Sequence, residues 1–288
     1  MTPSTAVLPR AADHYHPPDL LQDLRLLDLL ELSGSTLEAG RASGYSQPTV
    51  SRRTRVLTQD FALSVNRDRR VGCCYGTSPA LHLLRLGCRA HRLAAGVARL
   101  GADVLLQPLL ADCPWLLPAP PRFRLVVSWL ELVRQGVLDG ALVSGLEFAG
   151  HTTPPAHDLE LLPLGEQPLG LAIAPGQVIT AGNLPPVLVP NRTVAQGLRQ
   201  QLQQRGLAIH KAGSACHTPA QWRQRLQRGA VAMPLPELEP AHWWQGLQRL
   251  PLPTPLSLPL WLVLPAGWRQ QGALAHTAER LGYRHVAA

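Results

Sequence analysis

Apolar residues near the start of the chain recur at helical spacing. After Asp19, four leucines follow three- and four-residue steps: Leu20, Leu24, Leu27 and Leu30. This pattern predicts an amphipathic helix that ends at Gly34. The next stretch, "STLEAGRASG", predicts a second, shorter helix from Ser35 or Thr36 to Gly44.

A third helix is predicted to begin within "GYSQPTVSRR". Ser46 can cap it, and Pro48 is tolerated in the first turn because its missing donor would have no partner there. An inner and an outer face are expected, formed by Val50, Thr54 and Leu57 and by Ser51, Arg52 and Arg55. Two short helices joined by a glycine-containing turn, the second one basic outside, are typical of a helix-turn-helix. The following "FALSVNRDRRVGCCYG" predicts two short wing strands with Arg67, Arg69 and Arg70 near the tip.

One long helix is predicted over 77–100. Its apolar residues keep a three-four spacing: Leu83, Leu86, Ala90, Leu93, Val97 and Leu100. Such a heptad seam is typical of a helix that pairs with a second copy, but a helix packed on its own domain shows a similar stripe. Spacing alone leaves both interpretations open.

From residue 101 onward, short apolar runs alternate with helical stretches. "FRLVVSWLELVRQGVLDGALVSG" predicts a strand at 123–127, a helix capped by Ser128 and a strand at 141–143. This order is a βαβ unit and indicates a parallel sheet, so the fold class is α/β. By contrast, "ADVLLQPLLADCPWLLPAPP" is rich in proline and predicts at most a short strand.

Composition excludes several classes of protein. With 288 residues and 45% hydrophobic content, the chain can form two or three domains with real cores. Neither a membrane span nor a secretory signal is predicted, and residues 1–18 are predicted to be a flexible tail. Five cysteines without paired spacing fit a reducing cytoplasm and provide no zinc site. No catalytic triad, phosphate loop or cofactor motif is found, so an enzyme is not expected.

The net charge of +8 is concentrated in one segment. Between Gly40 and Gly101 there are eleven arginines and two aspartates, so this segment carries +9 and the remainder about −1. A basic block of this kind is typical of a protein that binds a polyanion, although a solvated basic face would have the same composition.

The stretch "SGSTLEAGRASGYSQPTVSRRTRVL" resembles the winged helix-turn-helix of LysR-type transcriptional regulators. Their Ser-Gln-Pro-x-Val-Ser-Arg helix is matched in order by Ser46, Gln47, Pro48, Val50, Ser51 and Arg52. Gly40, Ser43 and Thr54 depart from the family's alanine, leucine and branched apolar residue. Weaker similarities to the family's effector domain occur at Gly136, Leu138, Asp139, Gly229, Val231 and Pro234.

The resemblance implies a domain order. A DNA-binding domain is expected at 19–76, a linker or dimerisation helix at 77–100 and an effector-binding domain at 101–288. The last would comprise two α/β subdomains, as in periplasmic solute-binding proteins, at about 101–164 with 255–288 and at about 165–254. Because the family's linker helix pairs two subunits, a homodimer or homotetramer is expected.

Two sets of functional residues are expected. Double-stranded DNA would be bound by Ser46, Gln47, Pro48, Thr49, Ser51, Arg52, Arg53, Arg55, Arg67, Arg69 and Arg70, with arginines on phosphates and the shorter side chains near base edges. A small-molecule effector would meet polar groups at strand ends and helix starts: Ser128, Trp129, Ser144, Asn191, Thr193, Ser214 and Thr218. The predicted function is a DNA-binding transcription regulator. The alternative is a solute-sensing or partner-binding protein whose helix-turn-helix no longer binds DNA.

Overall fold

The computed structural model describes residues 11–66, 71–148, 157–177, 184–190, 194–211, 219–237, 246–250, 252 and 254–282. The first three helices are α1 (Gln22–Ser33), α2 (Thr36–Ser43) and α3 (Gln47–Asp60). Gly34 and Gly44, both at positive φ (67° and 78°), end α1 and α2, as the sequence predicts. The three helices share a small core of Leu26, Leu29, Leu30, Ala39 and Val50.

The segment 11–18 packs against the rest of the chain. The Ala12 N–H donates to the Pro114 carbonyl at 2.8 Å. The Tyr15 hydroxyl lies 3.1 Å from His91 Nδ1, and burial raises the pKa of Tyr15. Residues 11–18 therefore contact the rest of the chain at Ala12 and Tyr15, and the flexibility of the tail stays a prediction. The rest of the predicted tail lies outside the described residues.

The wing has no strand within 61–66 and 71–76. One backbone hydrogen bond joins its two sides, from the Asn66 N–H to the Cys74 carbonyl at 2.7 Å. Gly72 and Gly76 adopt φ of 77° and 92°, which bends the returning side away from an extended conformation. The predicted pair of wing strands is wrong for these residues, and the tip at 67–70 lies outside the described residues.

The next helix, α4, spans Pro79–Ala94, with Ser78 as its N-cap. It ends because Gly96 adopts a φ of 78°. The N–H of Val97 then donates to the Arg92 carbonyl at 3.0 Å, which is the six-to-one hydrogen bond of a Schellman motif. The predicted helix over 77–100 is therefore too long.

The predicted dimer seam is also broken. Leu83 is 68% exposed, Ala90 is exposed and Leu86 is half-buried. Leu93 is buried in the core of its own chain, Val97 follows the end of the helix, and Leu100 lies in a strand. As a continuous seam of six residues, the prediction is wrong.

The remaining described chain contains both helices and strands. The helices are α5 (Val126–Arg134), α6 (Gln196–Gln204), α7 (Pro219–Arg228) and α8 (Gly272–Arg280). The strands are β1 (Leu100–Ala102), β2 (Gly140–Ser144), β3 (Leu159–Ile173), β4 (Val187–Val189), β5 (Ile209–Lys211), β6 (Met233–Pro236), β7 (Gln248–Leu250) and β8 (Leu256–Pro265). The predicted α/β class is confirmed.

The main sheet has the order β1-β2-β8-β3-β6, with β7 also pairing with β3. Only β1 and β2 are parallel within it, and α5 connects them as a βαβ unit. The strand predicted at 123–127 is wrong, since α5 begins at Val126 and encloses Ser128 instead of being capped by it. The expected shortened first strand is β1, which has three residues and begins just before the proline-rich segment.

A small parallel sheet forms the other part of this region. β4 pairs with β5, α6 connects them, and a bridge from Val187 to Ala232 links the small sheet to the segment before β6. The long strands β3 and β8 pair from Leu159 opposite Pro265 to Leu169 opposite Leu256, with a register shift between Pro163 and Gly165. The division into subdomains at about 101–164 with 255–288 and about 165–254 stays a prediction.

Candidate DNA interface and ligand cleft

The start of α3 is held by local hydrogen bonds. Ser46 Oγ accepts from the Thr49 N–H at 3.4 Å and lies 2.8 Å from Thr49 Oγ1. Pro48 occupies the first turn. Val50 is fully buried and Thr54 is 5% exposed, so one face of α3 is fixed on the small helical core while the other face is free.

Gly40 lets the turn between α2 and α3 approach closely. A Cβ on Gly40 would lie 2.7 Å from the Tyr45 carbonyl oxygen, which belongs to the backbone and cannot move easily. The family's alanine would not fit this geometry. Thr54 is accommodated differently, because its buried Oγ1 donates to the Val50 carbonyl at 2.7 Å.

The free face of α3 is polar and basic. Ser46, Gln47, Pro48, Arg52 and Arg55 are exposed, and Thr49 and Ser51 are half-buried. A helix that is packed on one side and presents glutamine and arginines on the other has the geometry of a recognition helix in a major groove.

Arg53 departs from this pattern. Its guanidinium forms a salt bridge with Asp23 of α1 and lies over the Tyr45 ring at 5.1 Å from the centroid. Tyr45 in turn donates from its hydroxyl to Gln22 Oε1 at 3.2 Å. In this structure Arg53 holds α3 against α1, and its expected phosphate contact stays a prediction.

Four arginines of the basic segment are buried rather than presented to a polyanion. Arg85, Arg89, Arg92 and Arg99 are at most 3% exposed. Arg85 Nε donates to Asp28 Oδ1 of α1 at 2.8 Å. Arg99 Nη1 lies 3.6 Å from the other oxygen of that carboxylate.

The same group of arginines reaches the second half of the chain through Asp139. Arg92 donates to both oxygens of this carboxylate, and the Arg99 N–H donates to Oδ2 at 2.7 Å. Arg89 Nη2 donates to the carbonyls of Val133 and Leu138. Burial, followed by the nearby Arg92, lowers the pKa of Arg99 to about 10.

The charge of the segment is therefore a poor guide to its surface. Besides the four buried arginines, Arg41 pairs with Glu38 and Arg53 with Asp23. Arg67, Arg69 and Arg70 lie outside the described residues. Of the eleven arginines, Arg52 and Arg55 remain as exposed charges without an ion pair among the described residues.

A cleft lies where β2, α5 and the start of α6 meet. It encloses about 480 Å³ of empty space including its open mouth. Its walls include Phe123, Trp129, Val143, Leu198 and Leu258, and its polar lining consists of Asp103, Arg124, Ser144 and Glu147. The sequence predicts neither Asp103 nor Glu147 as a cleft residue, since each lies outside any motif.

The predicted effector residues are only partly brought together. Trp129 and Ser144 line the cleft, and Ser144 Oγ accepts from the Leu146 N–H at 3.3 Å. Ser128 is 1% exposed and is not part of the cleft wall. Asn191, Thr193, Ser214 and Thr218 lie outside the described residues.

Glu147 closes one side of the cleft. Its carboxylate accepts from the N–H groups of Gly197 at 3.1 Å and Leu198 at 2.9 Å, which are free donors in the first turn of α6. Gly197 permits this approach, because a Cβ there would lie 2.0 Å from the Leu146 carbonyl oxygen. The chain's own carboxylate therefore fills the position at which a helix start would attract an anion.

The other polar groups of the cleft are also engaged. Asp103 Oδ1 accepts from the N–H groups of Leu105 and Leu106 at 2.8 and 2.9 Å. Burial, with a smaller contribution from Glu147, raises the pKa of Asp103 to about 6. Arg124 Nη2 donates to the carbonyls of Glu31 and Leu32, and its guanidinium lies 5.7 Å from the centre of the Trp129 ring.

Among the described residues, no group of three or more His, Cys, Asp or Glu side chains is arranged to hold a metal ion. No helix in this part of the chain is long and apolar enough to cross a membrane.

No protein-family model matches the chain, and a search of curated proteins found no match. Among solved structures, a full-length OxyR variant from Pseudomonas aeruginosa is 16% identical, covers 93% of this chain and 99% of its own, and gives a TM-score of 0.46. CbnR, a LysR family transcriptional regulator, is 15% identical over 92% of this chain and 99% of its own, with a TM-score of 0.47. Full-length LysG from Corynebacterium glutamicum with bound effector Arg is 16% identical over 92% and 98%, with a TM-score of 0.43.

Proposed function

We propose that this chain is a sequence-specific DNA-binding transcription regulator of LysR type. The observation that carries the proposal is the free face of α3, where Gln47, Arg52 and Arg55 are exposed on a helix held by a serine cap and a buried valine. The Ser-Gln-Pro-x-Val-Ser-Arg resemblance supports it. A chromosomal target would place the protein in the cytoplasm.

Roles within the interface follow from exposure. Arg52 and Arg55 would hold phosphates, while Gln47, with Thr49 and Ser51 beside it, would reach base edges. Arg53 would act as a positioning residue through Asp23. The wing arginines would add phosphate contacts.

The proposal is tested with the full chain and the DNA upstream of its own gene. Binding is measured over a salt series for the wild type, Arg52→Ala/Arg55→Ala and the control Arg134→Ala, which removes a charge far along the chain. We expect affinity to fall steeply with salt. The double substitution should reduce the slope of log affinity against log salt by about two, roughly 0.9 for each lost phosphate contact. Equal, weak binding by all three proteins would contradict the proposal.

One observation favours the second candidate, a solute-sensing protein without DNA affinity. On α2 and α3, Arg41 and Arg53 are paired with carboxylates, which leaves Arg52 and Arg55. Under this function the salt series would show no specific binding, whereas ligand binding to the cleft would persist.

Assembly as a homodimer, or a homotetramer built from it, is proposed through the outer side of α4. Leu83, Gly87, Ala90 and Ala94 are exposed at four-three-four spacing, and a Cβ on Gly87 would meet open space. Light scattering over a concentration series should show that Leu83→Glu lowers the molar mass. The control Leu37→Glu alters an exposed leucine of α2 and should leave the mass unchanged.

Gating by a small effector is proposed for the cleft. Two carboxylates line it, its arginine is bonded to backbone carbonyls, and the start of α6 is occupied. These features favour a neutral or cationic effector with an apolar body. Calorimetry should compare the affinity for butylamine, a cation, with that for butyrate, an anion of similar size. Tighter binding of butyrate would contradict this specificity.

A further inference from the structure

A second basic region lies far from the helix-turn-helix. From residue 167 to residue 236 the chain contains no aspartate or glutamate and seven basic residues: Arg192, Arg199, Arg205, Lys211, Arg223, Arg225 and Arg228. No acidic residue of this stretch can neutralise them, so the stretch favours anions wherever its basic groups reach the surface.

The arginines of α7 do reach the surface. Trp222 and Leu226, one helical turn apart, are fully buried and fix α7 on the core. Arg223, Arg225 and Arg228 are exposed. No ion pair or hydrogen bond to these three side chains was found among the described residues. They are therefore available to a ligand.

Two of these arginines border a groove. Arg225 and Arg228, together with His210 of β5, line a depression of about 600 Å³ including its open mouth. The other lining residues, here called the floor, are Pro186, Leu188 and the segment 229–231. Pro186 is half-buried and Ala230 is exposed, whereas Leu188 is fully buried and Val231 is 7% exposed, so the floor offers apolar surface mainly at Pro186 and Ala230.

The groove combines two exposed arginines with an apolar floor. We propose that it binds a small molecule that carries a phosphate group on an apolar or aromatic body. Two guanidinium groups match the geometry of phosphate oxygens, and the floor covers the organic part. A DNA backbone would use the exposed arginines but would gain nothing from the apolar floor. The lining shares no residue with the cleft, whose acidic groups favour the opposite charge.

The test uses the folded full-length chain and calorimetry with phenyl phosphate, inorganic phosphate and phenol. We expect saturable binding of phenyl phosphate, weaker binding of inorganic phosphate because the floor stays empty, and no binding of phenol. Arg225→Ala/Arg228→Ala should lower the affinity for phenyl phosphate at least about tenfold, because hydrogen bonds to charged groups are lost. Arg225→Lys/Arg228→Lys keeps the charge, so its affinity for phenyl phosphate should lie between those of the wild type and the alanine variant.

The control is Arg223→Ala, which removes one charge from the same helix but lies outside the groove lining. It should bind phenyl phosphate within about twofold of the wild type, as expected for an exposed charge outside the site. Equal losses in both variants would mean unspecific attraction and would overturn the proposal, as would an absence of saturable binding. A third contrary outcome is that duplex DNA, but not phenyl phosphate, binds in a way that depends on Arg225 and Arg228. The groove would then be a DNA contact.

Discussion

Arg92 donates two hydrogen bonds to Asp139, from Nε to Oδ2 at 2.9 Å and from Nη2 to Oδ1 at 2.6 Å, and both side chains are at most 3% exposed. Without Arg92, the buried Asp139 carboxylate would keep only the Arg99 N–H at 2.7 Å and the more distant Arg89 Nε at 3.6 Å. We expect Arg92→Ala to lower the free energy of unfolding by about 3–5 kcal/mol, measured by urea denaturation. The matched control is Arg134→Ala, whose bridge to Asp158 is more exposed and is worth about 0–1 kcal/mol. Similar losses in both variants would contradict this assignment.

Gly40 and Gly87 provide opposite tests of the same substitution. Helix propensity alone predicts that alanine stabilises either helix by about 0.5–1 kcal/mol. At Gly87 a Cβ meets open space, so Gly87→Ala should raise the melting temperature. At Gly40 the Cβ would lie 2.7 Å from the Tyr45 carbonyl oxygen, so Gly40→Ala should lower it. A rise in both variants would show that the turn before α3 is looser than the structure indicates.

Arg52 and Arg53 are neighbours with different expected effects. Arg53→Ala removes the bridge to Asp23 and should cost about 0.5–1 kcal/mol of stability, because both partners are partly exposed. Arg52→Ala should leave stability unchanged and weaken DNA binding. Thermal melts and DNA titrations of both variants separate the two roles. The reverse pattern would restore Arg53 as a phosphate contact.

Glu147 is expected to act as a cap on α6 that also holds the cleft closed. Glu147→Ala should speed hydrogen exchange at the amides of Gly197 and Leu198, and should cost about 1–2 kcal/mol. Glu147→Gln retains one acceptor oxygen and should therefore give a smaller increase in hydrogen exchange and a smaller loss of stability. Protection that is equal in all three proteins would mean that the carboxylate contributes nothing there.

Asp103 should make stability fall as pH rises. Its pKa is raised to about 6 from 3.8, so the folded state binds the proton more tightly than the unfolded state. The folded state is therefore favoured below about pH 4, and this advantage is lost as pH rises through 6. Relative to Asp103→Asn, the wild type should lose about 2 kcal/mol between pH 4 and 7 in urea denaturation. A difference in the free energy of unfolding between the two proteins that does not change with pH would contradict the raised pKa of Asp103.

Local signals made the N-terminal helices predictable. Gly34, Gly44 and Ser46 start or end helices through their own backbone or side chain, and the sequence identifies all three. The end of α4 at Gly96 has the same kind of signal, but the three-four spacing continues past it through Val97 and Leu100. The prediction followed the spacing rather than the glycine, and the predicted helix is therefore too long.

Partners distant in sequence could not be predicted. Asp28 and Asp139 lie 57 and 47 residues from the arginines that they bind in α4, and only the fold brings them together. The count of arginines consequently predicted a surface charge that is largely internal. Glu147 and Gly197 show the same limitation for the cleft, since they are 50 residues apart.

The ribbon of β3 and β8 contains a register shift between Pro163 and Gly165. Above and below it, β3 and β8 remain hydrogen-bonded, so one strand cannot slide along the other without breaking the whole ladder. Gly165, at a φ of 97° and with open space around it, is the place where the ribbon can bend. If a ligand bends the ribbon of β3 and β8, we expect the bend to occur at Gly165, where the ladder is already interrupted.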